Sequence, residues 1–336
     1  MRIAVISIVY HSTPPRGYGG IERVVYTFVE QLIKEGHDVT LFATSGSYCS
    51  GKTIAIEAYD PTIAPSGWRR KSDIISEEAL YLSLCSHLDS KRFDIIHDWS
   101  FQNLFVLRHP EKMPFIISTC IPPAPDYRRP NLVACSRAHA ALCGPYTKYV
   151  HYGLDLKDWD YSLLKQNHFI HLAKIARFKG QHLAMLAARR IKADLRLAGI
   201  IENQFYFYTM IKPLLLLSSN IRYIGEIQGT NQHLKDARAL IQTPQSFDPF
   251  PLVILEALAS GTPVIGIDQG GVAEQIENGV TGFLCKNITD LMDAMQRIRE
   301  IRPQDCRDYV CEHFSIQRMV RNYIQLYQRV LDGENW

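Results

Sequence analysis

Short apolar runs rich in β-branched residues recur along the chain, separated by stretches with helical spacing of apolar side chains. Residues 2–10 form the first run, which predicts a buried strand, and a loop rich in proline and glycine (HSTPPRGYGG) follows. Residues 21–35 then place Val24, Val25, Phe28, Val29 and Leu32 on one helical face. A second strand is expected at 37–44 (HDVTLFAT), with others at 93–97 (FDIIH), 114–119 (PFIIST) and 131–135 (NLVAC). Strands without polar alternation, interleaved with helices, imply a parallel sheet covered on both faces. A polar stretch, LDLKDWDYSLLKQNH (154–168), reads as a linker, and the same alphabet then restarts. Strands are expected at 169–176, 193–200, 220–227, 239–244, 262–268 and 282–285, and an amphipathic helix at 315–331. The fold class is therefore α/β, with two doubly wound Rossmann-like domains.

One junction in this pattern carries chemistry. In SFDPFPLVILEALASGTPVIG (246–266), Pro249 and Pro251 forbid helix before Leu252. Residues 253–260 are helix-compatible, and Gly261 with Pro263 stops the run. The free N–H groups of a helix start attract an anion. Asp248 lies in the loop before that start and Glu256 about one turn inside it. A phosphate beside two carboxylates suits a sugar nucleotide, whose hydroxyls need acceptors. The helix dipole alone also favours a first-turn glutamate, by ~0.3–1 kcal/mol, so Glu256 by itself leaves a capping role open.

The whole string resembles the acidic-x7-Glu signature of retaining glycosyltransferases of family 4, which have the two-domain GT-B fold. Within it, the resemblance implies donor contacts from Asp248, Phe250, Pro251, Leu252, Val253 and Glu256. The family usually has Glu where this chain has Asp248, one methylene shorter. Gly17-Tyr18-Gly19-Gly20 lies between the first strand and helix, where doubly wound folds bind ligands. It lacks the third glycine of a dinucleotide fingerprint, since position 22 is Glu. It resembles the family's N-terminal glycine loop, which makes Gly19 and Gly20 candidates for contact with donor phosphates and acceptor. His97 ends the strand FDIIH. A lone histidine there is more often structural, but it resembles the family's Asp-x-x-His strand end at the domain rim. Many relatives carry a second histidine where this chain has Trp99.

LAKIARFKG (172–180) is similar to the family's Gly-Arg-(several)-Lys-Gly pattern, with Ala173 and Lys174 at the first two positions and Lys179-Gly180 retained. Two cations spaced this way after a strand can converge on a diphosphate; lysine brings a point charge where arginine brings a fork. DQGGVAEQIENGVTGFL (268–284) resembles two further family turns, whose glycines and Asn278 read as turn formers. Gly270 and Gly271 are candidates for lining the donor cleft. The resemblance is strong over 220–285 and weak over 45–92 and 120–150. In its length and its glycine loop the chain most resembles compact bacterial members such as the avilamycin-type sugar transferases.

Composition narrows the alternatives. A chain of 336 residues exceeds one ordinary core. The layout that the resemblance implies is 1–155 as the N-terminal, acceptor-side domain, 156–314 as the donor-side domain, and 315–336 as a helix crossing back. The net charge of +3 is evenly spread, with 16 Lys+Arg against 15 Asp+Glu in residues 1–155 and 21 against 19 in the rest. No basic stripe argues for nucleic acid. Arg69-Arg70-Lys71 beside Trp68 is a candidate for peripheral contact with anionic lipid, against a plain solvated loop. Eight cysteines without CxxC or Cys/His ligand spacing suggest reduced thiols in a cytoplasmic protein. The N-terminus reads as a first strand rather than a signal peptide. No window approaches the length of an apolar membrane span.

With these features, the resemblance implies a metal-independent, retaining glycosyltransferase without a cofactor. Its donor would be a UDP-, GDP-, ADP- or dTDP-sugar, held in the cleft between the domains, and its acceptor a hydroxyl on a saccharide, lipid-linked or small molecule. Expected catalytic residues are His97, Asp248, Lys174 and Lys179. The alternatives are a sugar-nucleotide epimerase on the same fold and a non-catalytic nucleotide-sugar binding protein.

Overall fold

The computed structural model describes residues 1–17, 19–56, 77–87, 93–123 and 128–336. Tyr18 and the Trp68 to Lys71 cluster lie outside the described residues. The chain divides into two compact units, Met1–Gly153 with Ile316–Trp336, and Leu154–Ser315.

The first unit is built on a seven-stranded sheet. Its strands are β1 (Arg2–Ile6), β2 (Asp38–Thr44), β3 (Lys52–Ile56), β4 (Ile95–Asp98), β5 (Phe115–Ser118), β6 (Leu132–Ala134) and β7 (Lys148–Tyr149). They lie in the order β3-β2-β1-β4-β5-β6-β7, all parallel, with Ile3 opposite both Val39 and Ile95. All of β4 and all but the first residue of β1 are buried, which accounts for their unbroken apolar sequences. The short strands β3 and β7, at the two edges, were not legible in the apolar pattern. Helix Gly20–Lys34 buries Val24, Val25, Phe28, Val29 and Leu32, the face that the spacing predicts. Helix Ile316–Leu331 packs beside it and buries Ile316, Met319, Val320, Tyr323, Leu326, Tyr327 and Val330.

The second unit repeats the plan with six strands: β8 (His168–Leu172), β9 (Asp194–Ala198), β10 (Ile221–Tyr223), β11 (Ala239–Gln242), β12 (Val264–Ile267) and β13 (Gly282–Cys285). Their order is β10-β9-β8-β11-β12-β13, again parallel throughout. In each sheet the winding reverses at the first strand of the unit, between β1 and β4 and between β8 and β11. Such a reversal leaves a crevice beyond the carboxyl ends of the two strands, because their following loops turn to opposite sides. Among the described residues no helix is long and apolar enough to cross a membrane.

Candidate active site

The loops leaving β8 and β11 both emerge at the reversal point of the second sheet. The first carries Lys174 and Lys179, the second Asp248 and the helix Leu252–Ala259. Their side chains meet: Lys179 Nζ donates to Asp248 Oδ2 at 2.5 Å, and both are largely buried, with side-chain exposures of 22% and 13%. Lys174 lies 3.7 Å from Glu202 Oε1, an acid that sequence reasoning did not single out.

The backbone of this site is over-determined. Gly180, just after Lys179, is left-handed (φ +67°), and a Cβ there would meet the Thr243 carbonyl at 2.0 Å. Thr243 Oγ1 donates to the Gly180 carbonyl at 2.9 Å. Gln181 Nε2 donates to the carbonyl of Lys174 at 2.8 Å. The Asp248 loop is gripped by the turn after β12. Gly271 N–H donates to the Asp248 carbonyl at 2.8 Å, and a Cβ on Gly270 (φ +65°) would sit 2.3 Å from the same oxygen. Gly270 and Gly271 therefore seat the Asp248 loop.

Helix Leu252–Ala259 opens after Pro251 with no side-chain cap and no acid in its first turn. Gln275 Nε2 donates to the carbonyl of the N-cap residue, Pro251, at 3.2 Å. Phe250 and Pro251 are buried, while Leu252, Val253 and Glu256 are half-buried. The other end is strongly cationic. Arg307 donates to the Ala259 carbonyl, and Lys165 Nζ donates to the Ser260 carbonyl at 3.0 Å and to Thr262 Oγ1 at 2.9 Å. Burial lowers the Lys165 ammonium to about 8, still protonated at neutral pH. Cations at the C-terminus complement the helix dipole and leave its positive N-terminus facing the loops just described. Neither cation was legible as part of the site, because only the fold brings them there.

The first unit offers a different station. Gly19 is the N-cap of helix Gly20–Lys34, and a Cβ on it would meet Pro15 Cβ at 2.6 Å. A rigid proline ring cannot yield, so this close turn requires glycine. The same helix carries buried Glu22 in its first turn, so its N-terminus already faces a carboxylate. Of the two helix starts, only that at Leu252 has no acid in its first turn.

His97 departs from the expectation of a rim residue. It is fully buried, with Nδ1 2.6 Å from the Tyr327 hydroxyl and Nε2 2.7 Å from Ser118 Oγ. Phe28, Trp99 and Tyr323 pack round its ring. Burial holds its pKa well below the usual histidine range, so the ring is neutral. With both nitrogens engaged inside the unit, His97 is an internal tie between β4, β5 and helix Ile316–Leu331 in place of the expected rim position. Trp99, where many relatives place a second histidine, is likewise buried.

On the other side of β4, Asp98 is fully buried and Oδ1 accepts from Ser100 N at 2.8 Å and from Ser100 Oγ at 2.6 Å. Its Oδ2 has no partner among the described residues. Burial, then the neighbouring Glu77 charge, raises its pKa to about 7 against the hydrogen bonds from Ser100. Glu77 accepts from the N–H groups of Phe101 and Gln102, at 2.8 Å each. The two carboxyls thus shape the loop that follows β4. Among the described residues no three His, Cys, Asp or Glu side chains converge as metal ligands.

Residues 158–309 match the family described as "Glycosyl transferases group 1", and residues 18–120 match "Glycosyltransferase Family 4". Among curated relatives, glycogen synthase of Mycobacterium tuberculosis is 25% identical over 203 residues, covering 54% of this chain and 48% of the relative. N-acetyl-alpha-D-glucosaminyl L-malate synthase of Bacillus anthracis is 33% identical over 180 residues, covering 49% and 46%. The chain thus spans about half the length of these curated relatives. Among solved structures, AviGT4, a glycosyltransferase involved in avilamycin A biosynthesis, superposes with a TM-score of 0.81 at 23% identity, over 100% of this chain and 99% of that one. Anabaena HepE in complex with UDP and glucose gives 0.70 at 17% identity, over 98% and 99%. Each of the two units thus matches a glycosyltransferase family description, and the chain shares its two-sheet fold with these solved glycosyltransferases.

Proposed function

We propose that the protein transfers a sugar from a nucleoside diphosphate sugar to a hydroxyl acceptor, with retention at the anomeric carbon and without a metal ion. The observation that carries this reading is the helix Leu252–Ala259. Its start is uncapped, its far end is neutralised by Arg307 and Lys165, and the Lys179–Asp248 pair stands in the same site. The diphosphate binds the N–H groups of Leu252 and Val253, with Lys174 and Lys179 adding positive charge. Glu256, one turn further, accepts from the ribose hydroxyls. Asp248 lies beyond the diphosphate and accepts from the sugar. Gly19 and Gly20, in the close turn of the first unit's glycine loop, are the backbone candidates for phosphate and acceptor contact in that unit, and His97 holds β4 in place without touching substrate. UDP, the nucleotide bound by the HepE structure, is the natural first donor nucleotide to try.

Chemistry follows from charge. As the bond to the anomeric carbon breaks, negative charge grows on the departing diphosphate while an oxocarbenium-like centre forms. Cations and oriented N–H groups at the leaving group stabilise that state more than the bound donor. Lys179 in the free protein is neutralised by Asp248. A bound donor shares the ammonium between carboxylate and phosphate, which ties the position of the sugar to that of the leaving group.

This gives a direct test. Lys179→Ala is expected to lower kcat by roughly 10- to 150-fold, the effect of a charge-assisted hydrogen bond worth ~1.5–3 kcal/mol, with a smaller rise in KM for donor. Steady-state kinetics over a range of donor concentrations reads both. A rise in KM alone would assign Lys179 to ground-state binding and remove it from the chemistry.

A further inference from the structure

The second unit carries an apolar face without acids between residues 203 and 225. After β9 the chain forms a helical run in three pieces, Gln204–Tyr206, a π-helical Phe207–Ile211 and Lys212–Leu216. Pro213 cannot donate an N–H into the ladder, which accounts for the wide turn before it. The run buries Tyr206, Phe207 and Ile211. Its outer side is not the polar face that a solvated helix would carry: Phe205 is 78% exposed, Tyr208 58%, Met210 44%, Leu216 79% and Leu217 64%. Scattered exposed apolar residues are ordinary, but five within thirteen positions form a patch that needs an occupant.

The charges around the patch select that occupant. From residue 203 to residue 225 there is no Asp or Glu, whereas Lys212 and Arg222 are present. Lys212 Nζ sits 5.2 Å from the Tyr208 ring centroid, on the patch itself. Helix Gln181–Arg190 packs on the run and ends in exposed Arg189 and Arg190, and it too has no acid. Exposed Arg177 lies within electrostatic reach of Tyr206 and His182 at the other end. Aromatic and leucine side chains, fringed by cations whose stems can lie along an apolar surface, suit the headgroup boundary of a bilayer. Anionic lipid supplies the charge that the face lacks. A second copy of the chain would not, because a two-fold contact sets Lys212, Arg189 and Arg190 against their own equivalents with no acid to pair them.

We infer that the outer face of residues 204–217 docks the second unit on the surface of an anionic membrane. The exposed apolar side chains Phe205, Tyr208, Met210, Leu216 and Leu217 are not among the residues assigned to the nucleotide site, so docking and donor binding are separable. The test is co-sedimentation with vesicles of phosphatidylcholine alone and of phosphatidylcholine mixed with phosphatidylglycerol, at low and high salt. The wild-type protein is expected to bind the mixed vesicles at least roughly tenfold more tightly and to lose that preference at high salt. Combined Phe205→Ser, Leu216→Ser and Leu217→Ser should abolish binding while thermal unfolding and UDP affinity stay unchanged, since all three side chains already face solvent. Lys212→Glu should weaken binding to the mixed vesicles alone. Absence of wild-type binding to mixed vesicles at low salt would overturn the inference. So would undiminished binding of the triple-serine variant, or wild-type self-association in sedimentation velocity that the triple substitution removes.

Discussion

Glu256→Ala is expected to remove most of the protein's affinity for a nucleoside diphosphate. A carboxylate accepting a hydroxyl hydrogen bond in a partly desolvated site contributes ~1.5–3 kcal/mol. Each ribose bond lost should therefore weaken binding by roughly 10- to 150-fold. The rival explanation, that Glu256 merely answers the helix dipole, is weakened by its position. It is the fifth residue of Leu252–Ala259, whose first turn holds no acid, and dipole effects fade beyond that turn. Calorimetric titration of UDP into wild type and variant reads the difference, and thermal unfolding checks that the helix persists. Unchanged affinity would return Glu256 to a structural role.

The second large effect concerns pH and the loop after β4. With a pKa of about 7 when folded and an ordinary value of 3.8, Asp98 binds a proton in the native state over a window where the unfolded chain does not. Its stabilising contribution is full below the unfolded pKa and is lost as pH rises toward and through 7. Between pH 5 and pH 8 this amounts to roughly 2–3 kcal/mol, about two units at 1.36 kcal/mol each. His97 and His171 act in the opposite sense, since burial depresses both, His171 to about 4. Their contribution is present above the ordinary histidine value and falls as the solution is acidified. The difference between wild type and Asp98→Asn cancels the histidines. Asparagine keeps the acceptor for Ser100 and carries no charge, so urea midpoints at pH 5, 6, 7 and 8 should move in favour of the variant as pH rises. A constant difference across that range would mean that Asp98 titrates as an ordinary carboxyl.

What was legible in the sequence is local. The apolar runs of β1, β4, β8 and β12 announce strands buried on both faces, and the proline pair before Leu252 announces where that helix begins. Glycines forced by close approach, such as Gly180 and Gly270, appear as loop signals before their neighbours are known. What was not legible depends on residues far apart in the chain. The burial of His97 follows from Tyr327, 230 residues away, and from Ser118; a strand-end histidine with those partners reads the same as one at an open rim. Pairing of Lys179 with Asp248 spans 69 residues. Lys165 and Arg307 look like solvated cations until the fold places them at the end of the Leu252–Ala259 helix. The edge strands β3 and β7 escaped notice because an edge strand is short and only half-buried, which weakens the apolar signal.

The central claim is that this site cleaves a nucleotide sugar by passing the sugar to a hydroxyl. The measurement that tests it is proton NMR of UDP-, GDP-, ADP- and dTDP-hexose donors incubated with the protein in excess chelator, with and without an alcohol acceptor. The account predicts release of nucleoside diphosphate from one donor that accelerates with the acceptor, together with a new glycoside whose anomeric coupling matches that of the donor. Binding of a donor with no release under any acceptor, activity restored only by magnesium or manganese, or a glycoside of inverted configuration would each contradict it.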